Sequence, residues 1–283
     1  MNQQGHGADP WMGLAGRVCV VTGAGSGIGA GTARELAALG ASVALIDRDR
    51  KTASAIAGQI RDGGGKAEAF NADVKSADEI TTVAEQIRDS FGPCHVLVNN
   101  AASVGYGGSL IDGDMQMWEH TLDVNVTGAL LCTRIFGRQM IDARRGGSIV
   151  NVASICGRAP LPGGGAYSVS KAALIMLTRV LALELAEHGI RCNAVSPGLV
   201  HTAATEAAYS DSAVAEARRR IVPAGRIAEP MDLAAVIAFL ASDRSGYING
   251  EDVLTDGGFS HTLMTHVPQP SKPMRPRSTE SGE

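Results

Sequence analysis

RVCVVTGAGSGIGAGTARELAAL, residues Arg17–Leu39, decides the fold. The apolar run Val18–Val21 is short and rich in β-branched residues, as a strand buried on both faces requires. It passes directly into Thr22-Gly23-Ala24-Gly25-Ser26-Gly27-Ile28-Gly29, and a helical pattern takes over at once from Ile28 to Leu39. Glycines let a backbone turn tightly and approach a diphosphate, whose charge is then met by the N–H groups and positive end of the following helix. A strand, a glycine turn and a helix in this order make a dinucleotide-binding turn. The spacing departs from G-x-G-x-x-G when read from Gly23, because position 28 is Ile, and follows T-G-x3-G-x-G instead.

Outward from this stretch, short apolar runs alternate with longer helical patterns. SVALI precedes a helix over Lys51–Arg61, KAEAF precedes Ala77–Phe91, and HVLVN precedes one long helix over Met115–Met140. GSIVNVA, a helix carrying Tyr167, IRCNAVS, a helix over Asp232–Ala241 and DVLTD complete the series. Repeated βα units with near-continuous apolar strands predict an α/β fold, a single doubly wound domain over residues 14–260 with seven parallel strands and helices on both faces. Residues 1–13 fall outside the pattern and read as a flexible N-terminal arm, and 261–283 as a Pro-rich C-terminal tail. Residues 197–226 form a long connection between a strand end and the next helix, and structureless segments of that length in a compact domain serve as lids over a site.

Composition narrows the class. Of 283 residues, 45% are hydrophobic and 19% charged, enough for a large core. The net charge of −4 is spread along the chain, so no basic surface points to nucleic acid or an anionic membrane, and Arg218–Arg220 reads as a solvated helix face. Neither a long apolar run nor a secretory leader pattern is present, which predicts a cytoplasmic protein with no membrane partner. The five cysteines form no C-x-x-C pair and lie mostly in apolar segments, which predicts reduced thiols and no metal site.

The chemistry is carried by Ser154, Tyr167 and Lys171. Tyr167 and Lys171 lie four apart in a strongly periodic helix, so both side chains leave one face. A free phenol has a pKa of about 10, and a neighbouring ammonium favours phenolate, moving Tyr167 toward the range of a general acid/base. Ser154, ending the fifth strand, is placed to orient a substrate oxygen and donate to it as charge develops.

T-G-x3-G-x-G, Y-x3-K and a Ser thirteen residues before the Tyr together closely resemble the short-chain dehydrogenase/reductase family, over about residues 14–259. The resemblance implies a Rossmann-like subunit, a nicotinamide cofactor, hydride transfer between an alcohol and a carbonyl, and a homotetramer. By the same resemblance Gly23, Ser26, Gly27, Ile28 and Gly29 hold the diphosphate, Asp73 and Val74 the adenine ring, and Asn100 and Ala101 the cofactor after the fourth strand. Pro197, Gly198, Val200 and Thr202 resemble the segment that grips the nicotinamide carboxamide, Asn125 the catalytic Asn that anchors a water, and Lys171 the residue bonding the nicotinamide ribose. Ala102 departs from the family pattern, which has Gly there, and puts an extra methyl beside the ribose.

Asp47 ends the second strand, twenty-four residues after Gly23, where a carboxylate accepts from the adenosine ribose hydroxyls and repels a 2′-phosphate. NAD is therefore expected over NADP, against the counter-signal of Arg48 and Arg50, which can pair with phosphate. The expected pocket wall comprises Ser103, Val104, Ile155, Cys156, Leu161–Gly165 and the lid from Leu199, with His201 a candidate substrate contact and Cys156 a small wall residue. No Lys or Arg is placed there to hold a carboxylate, which predicts a neutral, moderately hydrophobic secondary alcohol or ketone as the small-molecule partner. Rival readings are an NADPH-dependent reductase of 3-oxoacyl thioesters on an acyl carrier, a nucleotide-sensing regulator, and a sugar-nucleotide epimerase. The last resembles longer chains with an added substrate domain, and the regulator would be expected to have lost Tyr167 or Lys171.

Overall fold

The computed structural model describes residues 11–105 and 109–267. Seven strands form one parallel sheet in the order β3-β2-β1-β4-β5-β6-β7. They are β1 (Val18–Thr22), β2 (Ser42–Asp47), β3 (Lys66–Asn71), β4 (Val96–Asn99), β5 (Gly147–Val152), β6 (Ile190–Pro197) and β7 (Asp252–Thr255). Central β1 is buried at all five positions, which is why it reads as an uninterrupted apolar run.

Helices cover both faces. On one, α1 (Gly27–Ala38), α2 (Arg50–Asp62) and α8 (Pro230–Ala241) pack a core including Leu36, Ile56, Leu233 and Ile237. On the other, α3 (Ala77–Phe91), α5 (Ala129–Ala143) and α6 (Gly165–Glu184) bury Ile80, Ile87, Phe136, Met140 and Leu181. Local chemistry sets the helix ends: Asp49 Oδ1 accepts from the Lys51 and Thr52 amides at 2.9 and 3.3 Å, and Pro230 takes the first position of α8. The chain runs outward from β1 to β3 and then crosses back to β4, leaving a switch point at the carboxyl ends of β1 and β4, where α/β sheets bind ligands.

Three expectations are corrected. Residues 115–140 are not one helix: α4 (Met115–Leu122) enters a π turn over Asp123–Gly128 before α5 begins. The Asn125 amide is held by Ser103 and Ser170, and the Asn99 amide donates to the Ala129 carbonyl at 3.3 Å, so tertiary hydrogen bonds override the local repeat. The connection 197–226 contains α7 (Ser212–Ile221), capped by Asp211. Its apolar positions Val214, Ala217 and Ile221 share one face, although no residue of α7 is buried. The end of the expected N-terminal arm is held down: the Trp11 carbonyl accepts from Arg244 Nε at 2.7 Å, and the guanidinium stacks 4.5 Å from the Trp11 ring centroid. Residues 1–10 and 268–283 of the expected arm and tail lie outside the described residues. Among the described residues α6 alone has the length and mean hydropathy, 1.4, to cross a bilayer, and half of that window is buried in the protein.

Candidate active site

A cleft of about 540 Å³ opens at the switch point, and its floor is the glycine turn. The turn owes its shape to absent side chains. Gly23 has φ +62°, and a Cβ there would stand 2.8 Å from Ala101 Cα. A Cβ on Gly29 would strike the Gly23 carbonyl oxygen, in the place where Asn100 Nδ2 now donates to that oxygen at 2.9 Å and to the Thr22 carbonyl at 3.0 Å. Thr22 Oγ1 in turn accepts from the Asn100 and Ala101 amides, each at 3.1 Å, binding the end of β4 to the end of β1.

No side chain caps the N-terminus of α1 at Ser26, so its first-turn N–H groups face the cleft without a protein acceptor from a side chain. That is the arrangement that receives a diphosphate. At one end, Asp47 Oδ2 accepts from the Gly25 amide at 2.9 Å and Oδ1 from the Asp49 amide at 2.9 Å, which fixes the carboxylate beside the turn. Asp73 and Val74 line the same end, Asp73 accepting from the Lys75 amide at 3.0 Å.

At the other end Ser154, Tyr167 and Lys171 line the cleft together with Pro197, Gly198, Val200 and Thr202. Ser154 Oγ accepts the Cys156 amide at 3.1 Å, which commits one lone pair and turns the hydroxyl hydrogen to other acceptors. Lys171 is 2% exposed, and its Nζ donates to the Val152 carbonyl at 2.7 Å. Burial pushes its pKa down to about 8, weakly opposed by the Cys156 thiol. The ammonium nitrogen stands 5.6 Å from the ring centroid of Tyr167.

Of the residues expected to contact a cofactor or substrate, Gly29 and Asn125 do not line the cleft. Gly29 acts from beneath, as the seat of Asn100. Asn125 is 1% exposed; its amide nitrogen donates to the Ser103 carbonyl and to Ser170 Oγ, each at 2.9 Å, and its Oδ1 accepts the Ser103 amide at 2.7 Å. Ser170 Oγ then donates to the Tyr167 carbonyl at 2.7 Å, so Asn125 ties the Ser103 segment to the Tyr167 helix. A water held by the Asn125 side chain would have only the second lone pair of Oδ1.

The wall also differs from expectation. Ser103 and Val104 line it, but Ile155, Cys156 and Leu161–Gly165 do not. His201 turns away, bonded to Glu206 at 2.8 Å and packed on the Tyr209 ring at 4.9 Å. Ala204 and Thr205 line the cleft from the expected lid, and His120 and Val124 line it without having been expected. For the last two the spacing held a usable signal: His120 and Val124 lie four residues apart, and Val124 immediately precedes Asn125. Ala102 lines the cleft as well, with its methyl where the family pattern has none.

The glycine cradle, the uncapped helix end and the carboxylate at the far end fit a dinucleotide, and the Ser–Tyr–Lys group at the near end fits proton transfer to its substrate. The class is that of nicotinamide-dependent oxidoreductases built on a doubly wound sheet. Within it, the chain belongs to the short-chain dehydrogenase/reductase family: a family profile described as enoyl-(acyl carrier protein) reductase matches residues 23–260. The chain is 36% identical over 247 residues to D-threitol dehydrogenase of Mycolicibacterium smegmatis, covering 87% of this chain and 94% of that one. It is 37% identical over 256 residues to 2,3-dihydro-2,3-dihydroxybenzoate dehydrogenase of Bacillus subtilis, covering 87% and 97%. A solved structure from Beutenbergia cavernae, described as an NAD(P) dependent gluconate 5-dehydrogenase with bound NADP at low occupancy, superposes with a TM-score of 0.82 at 38% identity, covering 88% of this chain and 98% of that one.

Proposed function

We propose that this protein is an NAD-dependent dehydrogenase that interconverts a neutral secondary alcohol and its ketone. The observation that carries the reading is the placement of Ser154, Tyr167 and Lys171 in the same cleft as the glycine turn. When bound, the nicotinamide ring supplies a hydride acceptor or donor. Tyr167 takes the proton of the substrate hydroxyl in the oxidative direction and returns it in the reductive one. The Lys171 ammonium favours the phenolate by its charge, and the Val152 carbonyl keeps that ammonium in place. The Ser154 hydroxyl, with one lone pair already engaged by the Cys156 amide, donates to the substrate oxygen.

Support for NAD comes from Asp47, whose carboxylate is pinned at the adenosine end where a 2′-phosphate would meet it. Arg48 lines the same end and favours the rival, an NADPH-dependent 3-oxoacyl thioester reductase. Neutral substrates are supported by the near end, which offers no Arg, and no Lys other than Lys171, among its lining residues. The names of the relatives, a threitol and a dihydroxy-ring dehydrogenase, suit a substrate bearing a second hydroxyl.

A homotetramer is supported by the outer face of α6, where Val169, Met176, Val180 and Leu183 are 43, 55, 42 and 81% exposed along one stripe. A cytoplasmic location is supported by five free cysteines, four of them buried. A panel of secondary alcohols and diols, each with NAD and with NADP and followed by dinucleotide absorbance, tests the reading. Oxidation of none of them, with reduction of an acyl-carrier thioester by NADPH, would establish the rival. Light scattering on the eluted protein tests the tetramer.

A further inference from the structure

The β6–β7 edge holds a charged network outside the proton-transfer group. Asp252 opens β7 with a side chain only 1% exposed, while its partner Arg158 is 40% exposed. Arg158 Nε donates to Asp252 Oδ2 at 2.6 Å and Nη2 donates to the Asp252 main-chain carbonyl at 2.7 Å. Ser196 Oγ donates to Oδ1 at 2.6 Å. A buried carboxylate is tolerated only when paired and hydrogen-bonded, and both of these oxygens are taken.

Each of the three residues leads to the cleft. Arg158 closes the turn Ile155–Gly157 that begins at Ser154, with its amide donating to the Ile155 carbonyl at 2.9 Å. Ser196 directly precedes Pro197 and Gly198, which line the cleft. The strand that starts at Asp252 ends against Gly198, where a Cβ would come 2.6 Å from Asp256 Cβ. The turn is gripped from its other side too: a Cβ on Gly157 would lie 2.8 Å from the Lys171 carbonyl carbon. Ser154 therefore sits on a short turn clamped between the Tyr167–Lys171 helix and one buried carboxylate.

The geometry points to Asp252 as a positioning residue that, through Arg158, fixes the turn bearing Ser154 and, through Ser196, fixes the strand end bearing Pro197 and Gly198. The substrate-orienting hydroxyl and the cofactor-facing wall then keep one spacing, because both are referred to the same carboxylate. The contribution to turnover rests on the function proposed above, whereas the clamping of the turn does not.

Hydrogen exchange on the full chain without ligand, comparing wild type with Arg158→Met, reads the clamp directly. The expected result is exchange about ten-fold faster at the amides of residues 156–159, with β1 and α1 unchanged. Arg158→Lys keeps the charge but loses the second contact, so it gives the same pattern at about three-fold and serves if the Met variant does not fold. On an alcohol that the wild type oxidises, Arg158→Lys lowers kcat about ten-fold while the dinucleotide Kd, measured by titration, moves less than about two-fold. Unchanged exchange over 156–159, or a rise spread evenly over the whole chain, overturns the inference. A wild type that oxidises no alcohol overturns the proposed function instead and leaves the exchange result to decide the clamp.

Discussion

Lys171 and Tyr167 stand one turn apart on α6 with the ammonium nitrogen 5.6 Å from the phenol ring centroid, while the same nitrogen is tied at 2.7 Å to the Val152 carbonyl at the end of β5. The cation is thus referenced to the sheet and the phenol to the helix, and their separation is set by how α6 packs on β5. Tyr167→Phe removes the acid/base oxygen and keeps this packing. Turnover should fall by about 10²- to 10⁴-fold with the dinucleotide Kd unchanged, by stopped assay and titration; near-normal turnover removes Tyr167 from its role.

Lys171 has a folded pKa of about 8 against an ordinary value of 10.5, because burial disfavours its charge. A lowered pKa means a stability contribution fully present above the unfolded value and lost as pH falls through the folded one. The ligand-free protein should therefore gain stability between about pH 8 and 10.5. Lys171→Met should lack that slope and, at pH 7, be more stable than wild type by on the order of 3 kcal/mol while losing turnover. Denaturant midpoints across that range check it, and parallel slopes for the two proteins would count against it.

Gly29 is the seat of Asn100. Gly29→Ala forces its Cβ into the Gly23 carbonyl oxygen and the Asn100 amide. Overpacking of this kind costs about 1–3 kcal/mol and opens the Thr22–Asn100 tie. Dinucleotide affinity should drop by at least about ten-fold, a loss of about 1.4 kcal/mol, with the denaturant midpoint lowered in parallel.

Asp47 should set the choice of dinucleotide. Asp47→Ser removes the charge that opposes a 2′-phosphate and leaves Arg48 at the same end of the cleft. The ratio of kcat/KM for NADP over NAD should rise by about ten-fold or more in the variant. A wild type that already prefers NADP contradicts the assignment.

His95 joins the start of β1 to the start of β4: its Nδ1 accepts the Val18 amide at 3.1 Å, which requires an unprotonated nitrogen. Burial, and then the charges of Arg17 and Arg145, hold its pKa below the ordinary 6.5. The sign is that of a depressed pKa, so stability is complete above 6.5 and is lost as pH falls through the lower folded value. His95→Gln, an acceptor that does not titrate there, should flatten the stability profile below the ordinary histidine value of 6.5, and an unaltered profile would show that His95 does not contribute.

The strands were legible because a parallel strand buried on both faces is dominated by apolar residues, as in Val18–Val21 of β1, Val96–Val98 of β4 and Ile149–Val150 of β5. Helix α3 matches its expected range, Ala77–Phe91, because a Ser76 cap, an apolar stripe and Gly92 all mark it locally. The π turn at Asn125 was not legible, and helix α7 was legible only in the solvated face Arg218–Arg220. The first is created by hydrogen bonds to Ser103 and Ser170, and the second is a short helix whose apolar face, Val214, Ala217 and Ile221, lies within a segment that reads as a lid.

The amino-acid order alone determined the strand count, the glycine turn and the four-residue spacing of Tyr167 and Lys171, since each is a relationship within a few residues that backbone geometry converts into a shape. Only the tertiary structure decided that Gly29 supports Asn100 from below, that His120 and Val124 line the cleft while Ile155 and Cys156 do not, and that Arg158 meets Asp252. These last two lie 94 residues apart, and a contact at that separation is chosen by how the sheet orders its strands and buries its edge.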